Sequence, residues 1–322
     1  MKRWSGIVVS WRSEFGTPFS GKRVLVTGAT GFIGKYLCEA LVELGAEVHG
    51  TSRSGSVRRT TGGVKLWQVD LTDLQSTQDV ISQVHPHLIY HLAGMVTAQQ
   101  ALELIFPMLY TNLVGTINVL LSAKAERCQR VVVTGSAEEP SVPGEIPTSP
   151  YAAAKYSATL YSLMFFRLYD LPVVVARLFM GYGPGQDQNK LVPYVIRSLL
   201  QGNNPKLSNG DRICDFIYVL DIVRGLLLLG LRGGVDGRIV DLGSGRGTSV
   251  REIVDLLVEL IGCSAKPQFG ALPDRLGERS CVADIATTQA LLDWTPAWSL
   301  QDGLRCTIDW IKQEMENAAK KS

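Results

Sequence analysis

The sequence predicts an α/β protein with a doubly wound parallel sheet and a smaller C-terminal lobe. Short, almost continuously apolar runs alternate with longer segments of helical periodicity, and a glycine-rich turn joins the first run to the first helix. Such runs are typical of parallel strands that are covered by helices on both faces. The predicted strands are RVLVTG (23–28), AEVHGTSR (46–53), VKLWQVD (64–70), HLIYHLAG (87–94), RVVVTGS (130–136) and LPVVVARLF (171–179), and the predicted helices cover 34–45, 74–84, 98–125 and 151–169.

The pattern of predicted strands, helices and loops changes near residue 180. Residues 22–180 carry the alternation, whereas residues 181–322 are richer in loops and hold two further strand candidates. We expect a sheet domain over the first range and a mainly substrate-binding lobe over the second, with the chain re-entering the sheet near 213–219 and 238–242. Residues 1–21 form an N-terminal arm, which either packs on the body or a partner subunit or is disordered. The aromatic residues available for packing are Trp4, Trp11, Phe15 and Phe19.

The composition argues against several classes of function. The net charge is +2 without a basic block, so we expect no nucleic acid partner. The six cysteines show no metal-ligand spacing, and we expect free thiols in a reducing compartment and no metal. The apolar runs IVV (7–9) and GLLLLGL (225–231) are too short for a signal peptide or a membrane span. These observations predict a cytoplasmic protein without a membrane partner.

The glycine-rich turn TGATGFIG (27–34) predicts a dinucleotide site of the Rossmann type. Its glycines permit a tight turn and let backbone N–H groups approach a pyrophosphate, while the helix N-terminus adds partial positive charge. The strand before the turn and the amphipathic helix after it supply the context that such a site requires. The cofactor contacts expected from this turn are Gly28, Gly31, Phe32, Ile33 and Gly34.

The end of the second predicted strand bears on the choice of cofactor. NAD sites usually place Asp or Glu there, whereas this chain has Thr51, Ser52 and Arg53. A hydroxyl beside a guanidinium suits a 2′-phosphate, so we expect NADP, with NAD as the alternative if Arg53 is a solvated loop residue. Asp70, which precedes Leu71, is expected either to accept a hydrogen bond from adenine or to cap the next helix.

A Ser, a Tyr and a Lys form the predicted acid–base site. Ser149-Pro150 is typical of a helix N-cap and first helical residue, which places Tyr151 and Lys155 one turn apart on one helix face. The Lys ammonium is expected to lower the Tyr pKa from its ordinary value of about 10 and to reach the cofactor ribose. Ser136 ends the preceding strand and is placed to hydrogen-bond the reacting oxygen. This trio suits carbonyl/alcohol interconversion beside a nicotinamide.

Taken in order, these motifs resemble the extended short-chain dehydrogenase/reductases of the NAD-dependent epimerase/dehydratase family over about residues 22–312. TGATGFIG resembles the family's glycine turn, and YAAAK its Tyr-Lys motif. TNLVGTINVL carries Asn112 at the position of the family's helix Asn, which implies a catalytic role. RLFMGYGPGQ, DFIYVLDIV and the stretch from PDRLGE to LQDGL resemble C-terminal landmarks of the family. HLAG resembles the segment that lines the cofactor, which implies contacts from Leu92, Ala93 and Gly94.

Further motifs resemble the branch of the family that acts on nucleoside-diphosphate sugars. NKLVPYVI resembles the segment that clasps the nucleotide, and GSAEE, GKYL and GTSRS resemble segments of GDP-4-keto-6-deoxymannose reductases. Glu138 stands where a Glu of the 4,6-dehydratases removes the C5 proton, unless it is an exposed loop acid. Arg275 resembles the diphosphate-contacting Arg of the family, and the alternative is a solvated surface charge. The implied substrate-binding residues are Lys190, Leu191, Arg212 and Arg275.

The chain departs from the family pattern at several substrate positions. The Asn of the family's RLFN is Met180, and the Arg of its RDF is Cys214, with Arg212 as an open substitute. Pro140-Ser141 stands where the family has Tyr-Gly. The loop between the catalytic Ser and Tyr is short and rich in proline, so the substrate wall is expected to be trimmed.

The resemblance implies a reductase of a nucleoside-diphosphate 4-keto-6-deoxyhexose, with Tyr151 as general acid or base, and the residues at the end of the second strand indicate that it would use NADP. A sugar-nucleotide epimerase or 4,6-dehydratase that retains its cofactor is the alternative. Met180 and Cys214 favour instead a reductase of a non-nucleotide carbonyl compound, and a catalytically silent dinucleotide-binding protein is the fourth hypothesis. We also expect a homodimer through a four-helix bundle, because two helices carry more apolar surface than one sheet face needs. The residues concerned are Leu120, Leu121, Leu160, Tyr161, Phe165 and Phe166.

Overall fold

The computed structural model describes residues 10–53, 62–97, 99–142 and 144–320. The strands are β1 (Arg23–Thr27), β2 (Glu47–Ser52), β3 (Lys65–Gln68), β4 (Leu88–His91), β5 (Arg130–Ser136), β6 (Val173–Leu178), β7 (Met180–Tyr182), β8 (Ile213–Tyr218), β9 (Ile239–Leu242) and β10 (Gly247–Ser249). The helices are α1 (Trp11–Phe15), α2 (Phe32–Glu43), α3 (Leu74–Val84), α4 (Ile105–Met108), α5 (Gly115–Ala125), α6 (Pro150–Tyr169), α7 (Leu191–Leu200), α8 (Val219–Leu231), α9 (Val250–Ile261), α10 (Ile285–Leu292) and α11 (Leu300–Ala319).

Seven strands form one parallel sheet in the order β3-β2-β1-β4-β5-β6-β9. Helices α2 and α8 contribute to the apolar core on one face, and α3, α5 and α6 contribute to that on the other. The strand order reverses beside β1, and ligands of such sheets bind at the carboxyl ends of the strands at this point. The predicted doubly wound Rossmann fold with a C-terminal lobe is confirmed.

The expected re-entry of residues 213–219 into the main sheet was wrong. Strand β8 pairs in parallel with β7 and antiparallel with β10, as the centre of a separate three-stranded sheet. The candidate near 238–242 contains β9, which pairs with β6 as the last strand of the main sheet. An apolar run indicates that a strand is buried, but it does not indicate which strand lies beside it.

The described part of the N-terminal arm lies on the body of the protein. Trp11 and Phe19 are buried in the core beside α2. Glu14 of α1 forms an ion pair with Arg224 of α8. Trp4, which was also expected to pack, lies outside the described residues.

The longest apolar helical stretch in the described chain is Leu102–Ala125, and the run near residue 228 is shorter. The stretch Leu102–Ala125 combines a 3₁₀ turn (Leu102–Leu104), α4, a π-helical turn (Leu109–Val114) and α5. Its length and composition would suit a membrane span, but a core helix passes the same test. Val119 and Leu120 are fully buried in the core beside the sheet, so this stretch is part of the fold.

Candidate active site

The glycine turn joins β1 to α2. Gly28 has a φ of +69°, and a Cβ at this position would lie 2.9 Å from the backbone N of Ala93. A Cβ on Gly34 would lie 2.2 Å from the carbonyl O of Gly28. The N-cap of α2 is Gly31, which has no side chain to cap the helix, so within the described residues the first N–H groups of α2 remain available to an anion. The turn therefore fits the pyrophosphate of a dinucleotide.

Asn112 supports the segment that follows β4. It lies in the π-helical turn, a feature that is frequent at functional sites, and its side chain is buried. Its Oδ1 accepts the backbone N–H of Met95 at 2.9 Å, and its Nδ2 donates to the carbonyl O of Met95 at 3.0 Å. Asn112 lines the same cavity as Leu92, Ala93 and Gly94. The structure thus shows it holding the predicted cofactor segment in place.

His91 is buried behind this segment between two threonines. Its Nδ1 lies 2.8 Å from Thr27 Oγ1, and its Nε2 lies 3.0 Å from Thr116 Oγ1. The Thr116 hydroxyl donates to the carbonyl O of Asn112, so it accepts from Nε2–H. The Thr27 hydroxyl accepts from the backbone N–H of Ala93 and donates to Nδ1. Burial lowers the pKa of His91 to about 3, so the imidazole is neutral at ordinary pH.

The catalytic trio predicted from the sequence comes together at the ends of β5 and α6. Ser149 is the N-cap of α6, and its Oγ accepts a backbone N–H of the first turn at 3.1 Å. Pro150 follows as the first helical residue. Ser136 and Tyr151 line the cavity together, and the Ser136 side chain acts to lower the pKa of Tyr151 against the larger effect of burial. Ser136, Tyr151 and Lys155 are 7%, 8% and 5% exposed and line one cavity, so the site is largely shielded from water.

The expected effect of Lys155 on the Tyr151 pKa was wrong. The Lys155 ammonium donates to the carbonyl O of Thr134. Burial, with smaller contributions from the charges of Glu139 and Glu138, raises the pKa of Tyr151 to about 12. The spacing of two residues on a helix does not reveal how deeply the hydroxyl is buried. With this pKa, Tyr151 is a neutral phenol at ordinary pH and therefore a proton donor.

A cavity of about 650 Å³ joins the glycine turn, the catalytic trio and the C-terminal lobe. Its volume suits a ligand of nucleotide size. The predicted site residues that line it are Gly28, Gly31, Phe32, Ile33, Gly34, Leu92, Ala93, Gly94, Asn112, Ser136, Glu138, Tyr151, Lys155, Lys190, Leu191, Arg212 and Arg275.

Two of the expected cofactor residues at the end of β2 lie beside this cavity and do not line it. Ser52 is the last residue of β2, and the Thr30 hydroxyl of the glycine turn lies 3.5 Å from its Oγ. Arg53 is exposed. Both residues are next to the turn, on the side where the adenosine half of a dinucleotide lies in Rossmann folds.

Asp70 and Leu71 lie on the same edge of the sheet, also outside the lining. Asp70 Oδ1 accepts from the backbone N–H and the hydroxyl of Thr72 at 3.0 and 2.8 Å. The N-cap of α3 is Asp73, so the alternative that Asp70 caps this helix was wrong. The carbonyl O of Leu71 accepts from the Asn118 side chain at 2.9 Å.

The lobe presents two guanidinium groups to the cavity. Arg212 lies 3.0 Å from Glu278 Oε1 and 2.7 Å from Glu138 Oε1. Arg275 donates from Nε to the same Oε1 of Glu278 at 3.1 Å. Two cations that converge on one carboxylate oxygen can also bind a diphosphate. The carboxylate of Glu138 is engaged in an ion pair with Arg212.

Lys190 and Leu191 lie at the start of α7 and also line the cavity. Lys190 is the N-cap, and its ammonium donates to the carbonyl O of Val96 at 2.9 Å. Burial lowers the pKa of Lys190. Met180 and Cys214 also line the cavity, so both departures from the family pattern lie at the site.

Two charged residues of the site were missed in the sequence. Glu139 is 3% exposed and hydrogen-bonds to the backbone of Ser136. Arg279 donates to the carbonyl O atoms of Glu138 and Glu139 at 3.0 and 2.8 Å and thereby ties the catalytic loop to the lobe. The doubled acid in GSAEE was the available signal for Glu139, whereas Arg279 carried none.

Comparison with known proteins places this architecture in a family. The model of the NAD dependent epimerase/dehydratase family matches residues 24–243. The chain is 28% identical to UDP-glucuronate 4-epimerase of Thermodesulfobacterium geofontis over 315 residues, covering 91% of this chain and 97% of the relative. It is 26% identical to human dTDP-D-glucose 4,6-dehydratase over 337 residues, covering 95% of each chain.

Solved structures of such proteins share the fold. UDP-glucose 4-epimerase of Thermotoga maritima with UDP-glucose has a TM-score of 0.83 at 27% identity, covering 91% of this chain and 99% of that one. UDP-glucose 4-epimerase of Thermus thermophilus in complex with NAD has a TM-score of 0.80 at 26% identity, covering 90% and 99%.

Proposed function

Since this chain belongs to the NAD-dependent epimerase/dehydratase family, we propose that it is a sugar-nucleotide 4-epimerase that works with a bound NADP or NAD. The observation that carries the proposal is a single cavity that combines three parts. The glycine turn lies on one side, the Ser136–Tyr151–Lys155 trio lies in the middle, and Arg212 and Arg275 lie on the lobe side. Relatives of similar length act on UDP-glucose and UDP-glucuronate by name, so UDP-hexoses are the first candidates.

The residues of the chain supply the proton chemistry of such a reaction. A bound nicotinamide supplies the hydride acceptor and donor at C4 of the sugar. Tyr151 exchanges a proton with the C4 oxygen, and Ser136 hydrogen-bonds to the same oxygen and orients it. Lys155 keeps the site positively charged. It is buried and lines the cavity beside Ser136 and Tyr151, where it is placed to hold the ribose hydroxyls of the cofactor.

The ion pair of Glu138 favours an epimerase over a 4,6-dehydratase. A dehydratase needs a free base at C5, whereas Glu138 is 2.7 Å from the Arg212 guanidinium. A 4-epimerase needs no proton removed from C5. The arrangement therefore supports chemistry confined to C4 and its oxygen.

The end of β2 supports binding of NADP. In this chain, residues 51–61 (TSRSGSVRRTT) carry no carboxylate that would repel a 2′-phosphate. Ser52 and the exposed Arg53 offer a hydroxyl and a guanidinium beside the glycine turn. NAD, which is bound in the related Thermus thermophilus structure, remains the alternative.

The second candidate is a reductase of a 4-keto-6-deoxyhexose nucleotide. The end of β2, with Ser52 and Arg53, favours the reductase, because a reductase binds a fresh NADPH in each turnover. The raised pKa of Tyr151, about 12, also suits the reductive direction, in which the phenol donates its proton.

One experiment separates the two candidates. The purified protein is incubated with UDP-glucose, UDP-galactose, UDP-glucuronate and a 4-keto-6-deoxy sugar nucleotide, and the anomeric protons are followed by NMR. An epimerase equilibrates two UDP-hexoses without net change in NADPH absorbance at 340 nm. A reductase consumes one NADPH for each keto sugar. If the protein converts neither the UDP-hexoses nor the keto sugar, both candidates are contradicted. The remaining hypothesis is then a reductase of a non-nucleotide carbonyl compound.

The assembly proposed with this function is a homodimer through the exposed faces of α5 and α6. Of the six apolar residues expected there, Leu120 and Phe165 are buried against the sheet. Leu121, Leu160 and Tyr161 are 42%, 49% and 40% exposed, and Phe166 is 37% exposed. A second copy that covers these faces would remove this apolar surface from water. A monomer mass by light scattering at micromolar concentration contradicts the dimer.

A further inference from the structure

Glu139, the second acid of GSAEE, lies directly behind the catalytic trio. Its Oε1 accepts the backbone N–H of Ser136 at 2.6 Å, and its Oε2 accepts the hydroxyl of Thr159 at 2.8 Å. Thr159 is in α6, one turn after Lys155. The carboxylate therefore links the end of β5 to the helix that carries Tyr151 and Lys155.

Cations and hydrogen-bond donors surround this carboxylate. Lys155 is buried, and the negative charge of Glu139 favours the ammonium form of Lys155. The charge of Arg177 on β6 also lowers the pKa of Glu139. The Arg177 guanidinium itself donates two hydrogen bonds to the carboxylate of Asp241 on β9, at 2.7 and 2.9 Å. Glu139 and Lys155 are thus both buried and act on each other through their charges, without a direct ion-pair contact in the described structure, where Lys155 donates to the carbonyl O of Thr134.

The other charged groups near Glu139 have partners of their own. Arg279 donates to the carbonyl O of Glu139, and its guanidinium pairs with Glu145. Glu138 pairs with Arg212. Several packed elements contribute titratable or charged groups around Glu139 and Lys155. These groups are Tyr151 and Lys155 itself on α6, Arg177 on β6, His91 on β4, Glu138 on the same loop and Arg279 in the lobe.

We propose that Glu139 is a positioning residue of the catalytic centre, whose carboxylate is the buried counter-charge that keeps Lys155 an ammonium and fixes Ser136 at the end of β5. The inference rests on the proposed function, because the charge of Lys155 matters when Tyr151 exchanges a proton with the substrate. An isolated buried charge is costly, so each member of the pair holds the other ionised. Burial lowers the pKa of Lys155 and raises that of Glu139, and in both cases the partner opposes the shift.

Replacing Glu139 by Gln tests the charge, because Glu139→Gln keeps the shape of the side chain and an acceptor for Ser136. Without the carboxylate, the pKa values of Lys155 and Tyr151 both fall, since Glu139 raises both in the native protein. Both limbs of the pH profile of kcat/KM should move toward acid by about one pH unit. A purely structural Glu139 would lower the rate at every pH and leave the limbs in place, which overturns the proposal.

Thr159→Val is the matched control. It removes the hydroxyl that donates to the same carboxylate but changes no charge. We expect a lower melting temperature and unchanged pH limbs. If Thr159→Val moves the limbs as far as Glu139→Gln does, hydrogen bonding is responsible instead of charge, and the proposal is overturned.

A second measurement needs no turnover. In protein labelled with ¹³C at the lysine ε-carbon, the resonance lost in Lys155→Arg belongs to Lys155, and it should titrate about one pH unit lower in Glu139→Gln. If Glu139→Gln does not fold, Lys155→Met serves instead, and the carboxyl ¹³C resonance of Glu139 should titrate at higher pH than in wild type. Unchanged titrations overturn the proposal. Coupled titrations in a protein that turns over no sugar nucleotide support the pair and contradict only the proposed function.

Discussion

The two walls of the cavity are built in different ways. The catalytic wall, which we define as Ser136, Tyr151 and Lys155, is at most 8% exposed. The lobe wall, which we define as Arg212, Arg275 and Glu278, consists of charged side chains that pair with one another, with 15%, 34% and 18% of the side chains exposed. The first wall is held by backbone atoms and helix packing, and the second by ion pairs.

This difference separates what is preorganised from what a ligand can displace. The Arg275 side chain is one-third exposed, and ion pairs in contact with solvent contribute little to stability, typically about 0–1 kcal/mol, so an anion that reaches the lobe wall competes with Glu278 for this guanidinium. The catalytic wall has no such freedom, because moving its groups would leave buried polar atoms without partners. Variants of the first wall should therefore affect turnover, and variants of the second should affect substrate affinity.

The largest effect is expected for Tyr151→Phe, which removes the proton donor of the catalytic wall. Turnover should fall by at least about a hundredfold, as is usual for a general acid. Binding of the dinucleotide should change little, because the glycine turn is untouched. Tyr161→Phe, on the exposed side of the same helix, is the control and should keep full activity. Near-normal turnover by Tyr151→Phe would falsify the assignment.

His91 tests the rigid scaffold behind the catalytic wall. Its pKa is about 3 in the folded protein, against an ordinary value of 6.5, so below pH 6.5 the unfolded chain binds the extra proton. Stability should therefore fall as the pH is lowered, by about 3 kcal/mol between pH 6.5 and 4. Urea unfolding of wild type and His91→Gln across this range measures the difference. A variant with the same acid slope as wild type would show that His91 is not the group responsible.

Arg275→Ala tests the lobe wall. A charge-assisted contact to a diphosphate is worth about 1.5–3 kcal/mol, so the Kd of a sugar nucleotide should rise by roughly ten- to a hundredfold. The Kd of NADP should stay the same, because the glycine turn lies across the cavity. Calorimetric titration with UDP, GDP, dTDP and CDP, alongside the exposed Arg305→Ala on α11, measures both constants. If none of the four binds wild type, the sugar-nucleotide proposal fails.

The smallest effect is expected for Arg53→Ala, because Arg53 is exposed and solvent weakens its contribution. We expect the Kd of NADP to rise by about tenfold and that of NAD by less than about twofold, since only NADP carries the 2′-phosphate. Dissociation constants of both oxidised and both reduced cofactors, measured by fluorescence, decide the point. Equal losses for NADP and NAD would show that Arg53 does not recognise the 2′-phosphate.

Local patterns in the chain were sufficient to predict the glycine turn, the capped Tyr-Lys helix and the parallel sheet. Each of these depends on neighbours in sequence: glycine at a positive φ, Ser149 before Pro150, and apolar runs of strand length. Glycine conformations, helix caps and strand patterns are properties of a few consecutive residues. The resemblance to the epimerase/dehydratase family, now confirmed, rested on these same local motifs.

Only the tertiary structure decided the charges of the site. The pairing of Glu138 with Arg212, the burial of Glu139 behind Ser136 and the raised pKa of Tyr151 all depend on residues that are remote in sequence or on depth below the surface. The assignment of β8 to a second sheet has the same origin. Coulomb energies and desolvation depend on distance and burial in three dimensions, and the order of residues along the chain specifies neither one directly.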